Sequence, residues 1–302
     1  MNSRNDSYKK DHYLKRNNQS NANVIAPKKN LGQHYLIDTN KLSYIASFAN
    51  QLSESIIEIG PGTGQLTKYL FEYGCKKLLA IEKDKRFIVH LNSLFSNQDF
   101  TIFNKDILNT NFDELPNYIL VGNLPYNISA PIIIKFINFI NKFEHGIFLI
   151  QKEVADKICA KCNDRSYGRI SVFIQSVANT KKILTVPPGC FSPPPKVYSE
   201  VIYITKKNKG NIHANNEHID QSNKDKNNEK IDLGKVDTEN IDLEKLDIIL
   251  KAAFSNPRKT IRNNLKGFPK AEEIIQNNGL DMSVRPNNIP VEIYIQLSKI
   301  IC

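Results

Sequence analysis

From Ile56 onward the chain alternates short apolar runs with stretches in which apolar residues recur at helical spacing. The runs Ile56-Ile57-Glu58-Ile59, Lys77 to Glu82, Phe100 to Asn104, Tyr118 to Val121 and Gly146 to Ile150 read as strands. Their alternation with helical segments predicts an open, largely parallel α/β sheet. From about Leu243 to Cys302 the spacing of Leu246, Ile249, Leu250 and Ala253, then Ile274 and Ile275, then Ile293, Ile295 and Leu297 predicts a small helical domain.

Two segments break the pattern. Residues 1–27 are polar and basic, too poor in apolar side chains to repay the entropy of ordering, and read as a flexible tail. Between Lys206 and Asp242 stand seven Lys, eight Asp or Glu and eight Asn, the composition of a linker or insertion. Within and just beyond it, Glu229 to Asp237 recurs as Glu239 to Asp247, a local duplication too short to build a repeat fold. The expected organisation is therefore a tail over 1–27, a catalytic domain over 28–205, a polar linker over 206–242 and a helical domain over 243–302.

Charge narrows the class of partner. The 302 residues carry 41 Lys and Arg against 31 Asp and Glu, a net charge of +10 and a pI near 9.2, which favours a polyanion such as nucleic acid. An AT-rich genome also inflates Lys and Asn. Five scattered cysteines, Cys75, Cys159, Cys162, Cys190 and Cys302, suit reduced thiols; Cys159 and Cys162 form a Cys-x-x-Cys pair with no second pair at zinc spacing and read as loop thiols. No secretory signal or membrane-length apolar run stands out, so a soluble, cytoplasmic protein is expected.

The glycine cluster Glu58-Ile59-Gly60-Pro61-Gly62-Thr63-Gly64 follows a strand and leads into a helix at Leu66 to Leu70. Glycines allow positive φ and close approach of a ligand, and the helix start offers free N–H groups. The G-x-G-x-G spacing differs from the G-x-G-x-x-G of pyrophosphate binders and points to a phosphate-free adenosine ligand, S-adenosyl-methionine. Glu82 ends the second strand, where a carboxylate can accept from both ribose hydroxyls, and Asp106 follows the third, placed to accept from the adenine amine of the cofactor.

Asn123-Leu124-Pro125-Tyr126 follows the fourth strand and resembles the [DNS]-[PL]-P-[YFW] motif of amino-methyltransferases. An adenine amine is a weak nucleophile because its lone pair is delocalised into the ring. The Asn123 side-chain oxygen and the Leu124 carbonyl can accept its two hydrogens, favouring a pyramidal nitrogen aimed at the sulfonium methyl. Pro125 stiffens the turn, and Tyr126 offers a face on which an extruded base can stack. Positioning, rather than a general base, would supply the rate.

Taken together the chain resembles the ribosomal RNA adenine dimethyltransferase family, in its bacterial small-subunit branch. The resemblance spans about Lys28 to Ile204 and Leu246 to the end. Its landmarks are Lys29 to Leu36, Glu58 to Gly64, Asn123 to Ser129, Gln151 to Val154, Tyr167-Gly168-Arg169, Phe191 to Val197 and Arg258 to Asn263. It implies a Rossmann-like class I S-adenosyl-methionine methyltransferase sheet with a small all-helical C-terminal domain. It also implies a cofactor set of His34, Leu36, Gly60, Glu82, Asp106 and Asn123, and adenine-facing residues Asn123, Leu124 and Tyr126. Phe191, which on its own residues reads as a surface aromatic held by prolines, corresponds to an aromatic that closes on the other face of the target base. The implied substrate is a pair of adjacent adenosines in a 3′-terminal hairpin of 16S rRNA, met by a monomer in the small subunit or its precursor. Departures are His34-Tyr35 where the family usually has Asn-Phe, Pro257 where Arg or Gln is commoner, and the long segment over 206–242.

The run Lys251, Arg258, Lys259, Arg262, Lys266 and Lys270 contains no acid between its ends and suits contact with RNA phosphates. Three other readings stand beside this one: a methyltransferase of large-subunit rRNA adenine, a non-catalytic ribosome-assembly factor on the same fold, and a nicotinamide oxidoreductase. The glycine spacing disfavours the last, and the intact Glu82, Asp106 and Asn123 to Tyr126 disfavour the second.

Overall fold

The computed structural model describes residues 33–207 and 241–301. The expected tail over 1–27, and all but the ends of the polar segment over 206–242, lie outside the described residues. The N-terminal half runs β1 (Tyr35–Leu36), α1 (Thr39–Leu52), β2 (Ser55–Ile59), α2 (Gln65–Glu72), β3 (Lys77–Glu82), α3 (Arg86–Leu94) and β4 (Phe100–Asn104). There follow β5 (Ile119–Asn123), α4 (Ser129–Asn138), α5 (Ile140–Phe143), β6 (His145–Gln151), α6 (Lys152–Ile158), α7 (Arg169–Val177), β7 (Ala178–Val186), β8 (Phe191–Ser192) and β9 (Ser199–Lys206). The C-terminal helices are α8 (Leu243–Ala253), α9 (Ile261–Asn264), α10 (Ala271–Asn277) and α11 (Val291–Ser298).

Seven strands form one sheet in the order β4-β3-β2-β5-β6-β9-β7. The first five are parallel, and β9 pairs antiparallel with both β6 and β7. Strands β2, β3, β5 and β6 are almost wholly buried because helices cover both faces, which is why they read as continuous apolar runs. Edge strand β7 carries Asn179, Thr180, Lys181 and Lys182 and shows no such run. The chain runs outward from β2 through β3 to β4 and then returns to β5 on the other side of β2. That reversal opens a crevice between the carboxyl ends of β2 and β5, where α/β sheets bind ligands.

The C-terminal helices are present where the spacing predicts them, but they do not enclose a core of their own. Leu246, Ile249, Leu250, Ile293 and Leu297 belong to the same apolar cluster as Ile132, Phe136, Val172 and Ile174 of α4 and α7. Polar contacts clasp the junction. Tyr167 donates its hydroxyl to the Ile289 carbonyl at 3.1 Å, and Arg169 pairs with Asp247 of α8. The Tyr167-Gly168-Arg169 landmark thus joins the sheet region to the C-terminal helices.

Candidate active site

The glycine loop leaves β2 with positive φ at Gly60, Gly62 and Gly64. Gly62 is required on a second count: a Cβ there would stand 2.9 Å from Cε1 of Tyr35. At Gly60 a Cβ would meet no protein atom and would project into space bounded by the cleft. That cleft is open to solvent and is lined by His34, Gly60, Glu82, Asp106, Asn123, Leu124 and Tyr126 among others. A small adjoining recess shares Gly60 and Asn123 and adds Leu36 and Glu58. The residues expected from four separate strand ends therefore line one cleft. Its bare glycine backbone, two carboxylates and apolar walls suit an adenosine ligand with a cationic, phosphate-free tail.

Each polar group is held from behind. The Glu82 carboxylate accepts from the backbone N–H of Gly62 at 3.2 Å and of Asp84 at 2.7 Å, and burial raises its pKa above the ordinary carboxylate range. Asp106 is more exposed; its pair with Lys83 at 2.8 Å and the Leu108 N–H at 2.9 Å hold its pKa below the usual value. The loop carrying it is tied down by Lys135, whose Nζ donates to the carbonyls of Leu108 at 2.7 Å and Thr110 at 2.6 Å.

Asn123 is the last residue of β5. Its Nδ2 donates to the His34 carbonyl at 2.8 Å, which fixes the amide and leaves Oδ1 as the acceptor directed away from that bond. The Leu124 N–H goes to the Leu149 carbonyl at 3.0 Å, locking the turn against β6. The Tyr126 hydroxyl lies 2.5 Å from Ser199 Oγ at the start of β9, and its ring stacks with the His34 imidazole. His34 therefore meets this side of the cleft by both backbone and side chain.

Two expectations change. Phe191 is neither a surface aromatic nor a wall of the cleft: it is 3% exposed, paired through β8 with Leu36 of β1, and packs with Leu42, Ile45 and Cys190. Short apolar strands bury such a ring where proline spacing alone suggests exposure. In the basic run, Lys251 pairs with Asp247 at 2.8 Å and Arg262 with Glu272 at 3.3 Å, so acids from outside the run offset part of its charge. Cys159 closes α6 and Cys162 sits in the turn beyond, donating weakly to the Asn287 carbonyl at 3.8 Å.

Glu58 escaped the sequence reading. It is 2% exposed, accepts from Thr67 Oγ1 at 2.6 Å, and burial pushes its pKa up to about 8. An acid inside an otherwise apolar strand, two residues before the first loop glycine, is the available signal.

The family model described as ribosomal RNA adenine dimethylase matches residues 25–219. The chain belongs to the ribosomal RNA adenine dimethylase family. Among its relatives, the ribosomal RNA small subunit methyltransferase A of Mycoplasma mobile is 35% identical over 88% of this chain and 95% of that protein. The protein of the same name from Hydrogenovibrio crunogenus is 36% identical over 90% and 96%. Of solved structures, a dimethyladenosine transferase from Plasmodium falciparum superposes with a TM-score of 0.66 at 21% identity, covering 87% of this chain and 96% of that one. The 23S rRNA methyltransferase ErmE gives 0.63 at 20%, covering 88% and 98%. At these identities the structures establish the shared class I methyltransferase fold.

Proposed function

We propose that the protein transfers methyl groups from S-adenosyl-methionine to the exocyclic amines of two adjacent adenosines in a 3′-terminal hairpin of 16S rRNA, giving dimethyladenosine. The observation that carries this reading is the fixed Asn123 amide at the carboxyl end of β5, its oxygen left as an acceptor, in one cleft with Glu82, Asp106 and Tyr126. Gly60, Glu82, Asp106 and Leu36 would hold the cofactor, which supplies an activated sulfonium methyl when bound.

Asn123 Oδ1 and the Leu124 carbonyl would take the two amine hydrogens and turn the nitrogen lone pair toward the methyl; Tyr126 would hold the base plane. The proton of the methylated nitrogen leaves afterwards, so the residues serve chiefly to orient the amine. The small-subunit names of relatives at 35 and 36% identity favour this substrate over large-subunit rRNA, whose representative is similar in fold alone. The same reading makes the protein a monomeric cytoplasmic enzyme of small-subunit biogenesis. Among the described residues no helix is long and apolar enough to cross a membrane.

The test is tritiated S-adenosyl-methionine with small subunits lacking these methyls. The expected result is labelled dimethyladenosine in digested 16S rRNA, reduced about a hundredfold in Asn123→Ala, the scale of loss when a reacting group is misplaced. Cofactor binding without transfer to small subunits would overturn the substrate assignment.

A further inference from the structure

The base-facing side of the cleft contains a contact that the reaction does not require. The His34 imidazole lies nearly parallel to the Tyr126 ring, with centroids 5.3 Å apart and planes inclined by 24°. Both rings line the same cleft, and the His34 imidazole lies against one face of Tyr126 there. Tyr126 is pinned at its hydroxyl by Ser199. His34 Nδ1 lies 2.8 Å from the Pro193 carbonyl and must donate to it, while its own carbonyl accepts from Asn123. A planar nitrogen heterocycle of the chain itself therefore occupies an aromatic face suited to an adenine, in the offset geometry such pairs prefer. The Pro193 bond is solvent-exposed, and an exposed hydrogen bond contributes little net, because water replaces it. The imidazole can be displaced without unfolding its surroundings.

We propose that His34 is a built-in surrogate for the target base: its imidazole fills the place on Tyr126 in the empty protein and swings away when an adenine enters. The inference rests on the adenine-methylation reading. It assigns the His34 side chain a positioning role on the base side, distinct from its backbone bond to Asn123. Every incoming base then displaces the ring, which lowers apparent affinity for the extruded adenine.

The test measures binding without turnover. A short single-stranded RNA carrying 2-aminopurine, a fluorescent isomer of adenine, is titrated against the full-length protein at saturating S-adenosylhomocysteine. His34→Ala is expected to bind roughly two- to tenfold tighter than wild type, the size of an aromatic pair. His34→Phe keeps a ring without the Pro193 bond and should bind as wild type does. In a Tyr126→Ala background the His34→Ala gain should vanish. His34→Asn, a second ringless variant, should reproduce the gain if the alanine variant folds poorly. Equal or weaker binding in both ringless variants, or a gain that persists without Tyr126, would overturn the proposal. A wild type that quenches the probe yet transfers no methyl would sink the reaction, while the same titration still decides the role of His34.

Discussion

The two sides of the cleft are built differently. On the side proposed to hold the cofactor, Glu82 is gripped by backbone N–H groups and Gly60, Gly62 and Gly64 take positive φ, all rooted in parallel strands of the core. On the side proposed to face the base, the Tyr126 ring is held by side-chain contacts between segments distant in the chain, its hydroxyl at Ser199 and its ring against His34. Backbone anchorage couples the cofactor side to the stability of the fold. Side-chain anchorage lets the base side rearrange while the sheet stays intact.

The largest effect should come from beneath the cofactor side. With a folded pKa of about 8, Glu58 binds a proton in the native state that the unfolded chain releases near its ordinary value of 4.5. Its contribution is present below the unfolded value and lost as pH rises toward 8, at about 1.4 kcal/mol per unit and roughly 5 kcal/mol in all. Glu58→Gln keeps a partner for Thr67 without the charge and should flatten that part of the stability curve in denaturant titrations between pH 5 and 8. An unchanged slope would place the proton elsewhere.

Gly62→Ala should come next. Left-handed backbone costs about 1–2 kcal/mol, and the new Cβ presses on Tyr35. A melting temperature lowered by several degrees together with weaker S-adenosylhomocysteine binding is expected in calorimetry; weaker binding at unchanged stability would break the link between cofactor side and fold.

The smallest effect belongs to the base side. Tyr126→Phe removes the bond to Ser199, about 0.5–1.5 kcal/mol, and keeps the stacking face. The melting temperature should fall by less than in Gly62→Ala while methyl transfer falls less than tenfold. A loss of stability matching that of Gly62→Ala would erase the difference between the two sides.

The same division describes what could be read from the amino-acid order. The limits of β3 agree with its apolar run, and β5 and β6 differ from theirs by one or two residues, because a strand buried on both faces has no freedom to be polar; β4 keeps its expected limits as a partly exposed edge strand. Strand β7 was invisible, since an edge strand with lysines looks like a loop. Glu82 and Asp106 were legible from their places at strand ends. Phe191 was not: its burial depends on β8 meeting β1, a pairing between residues 35–36 and 191–192.

The sequence by itself determined the parallel sheet, the glycine loop, the positions of both carboxylates and the Asn123 to Tyr126 turn. These follow from local periodicity, positive-φ glycines and the short distance along the chain between a strand and the loop it ends in. The tertiary structure alone places the C-terminal helices in the core of the sheet region and His34 on Tyr126. Each of those depends on contacts between segments remote in sequence, whose burial and geometry no local pattern encodes.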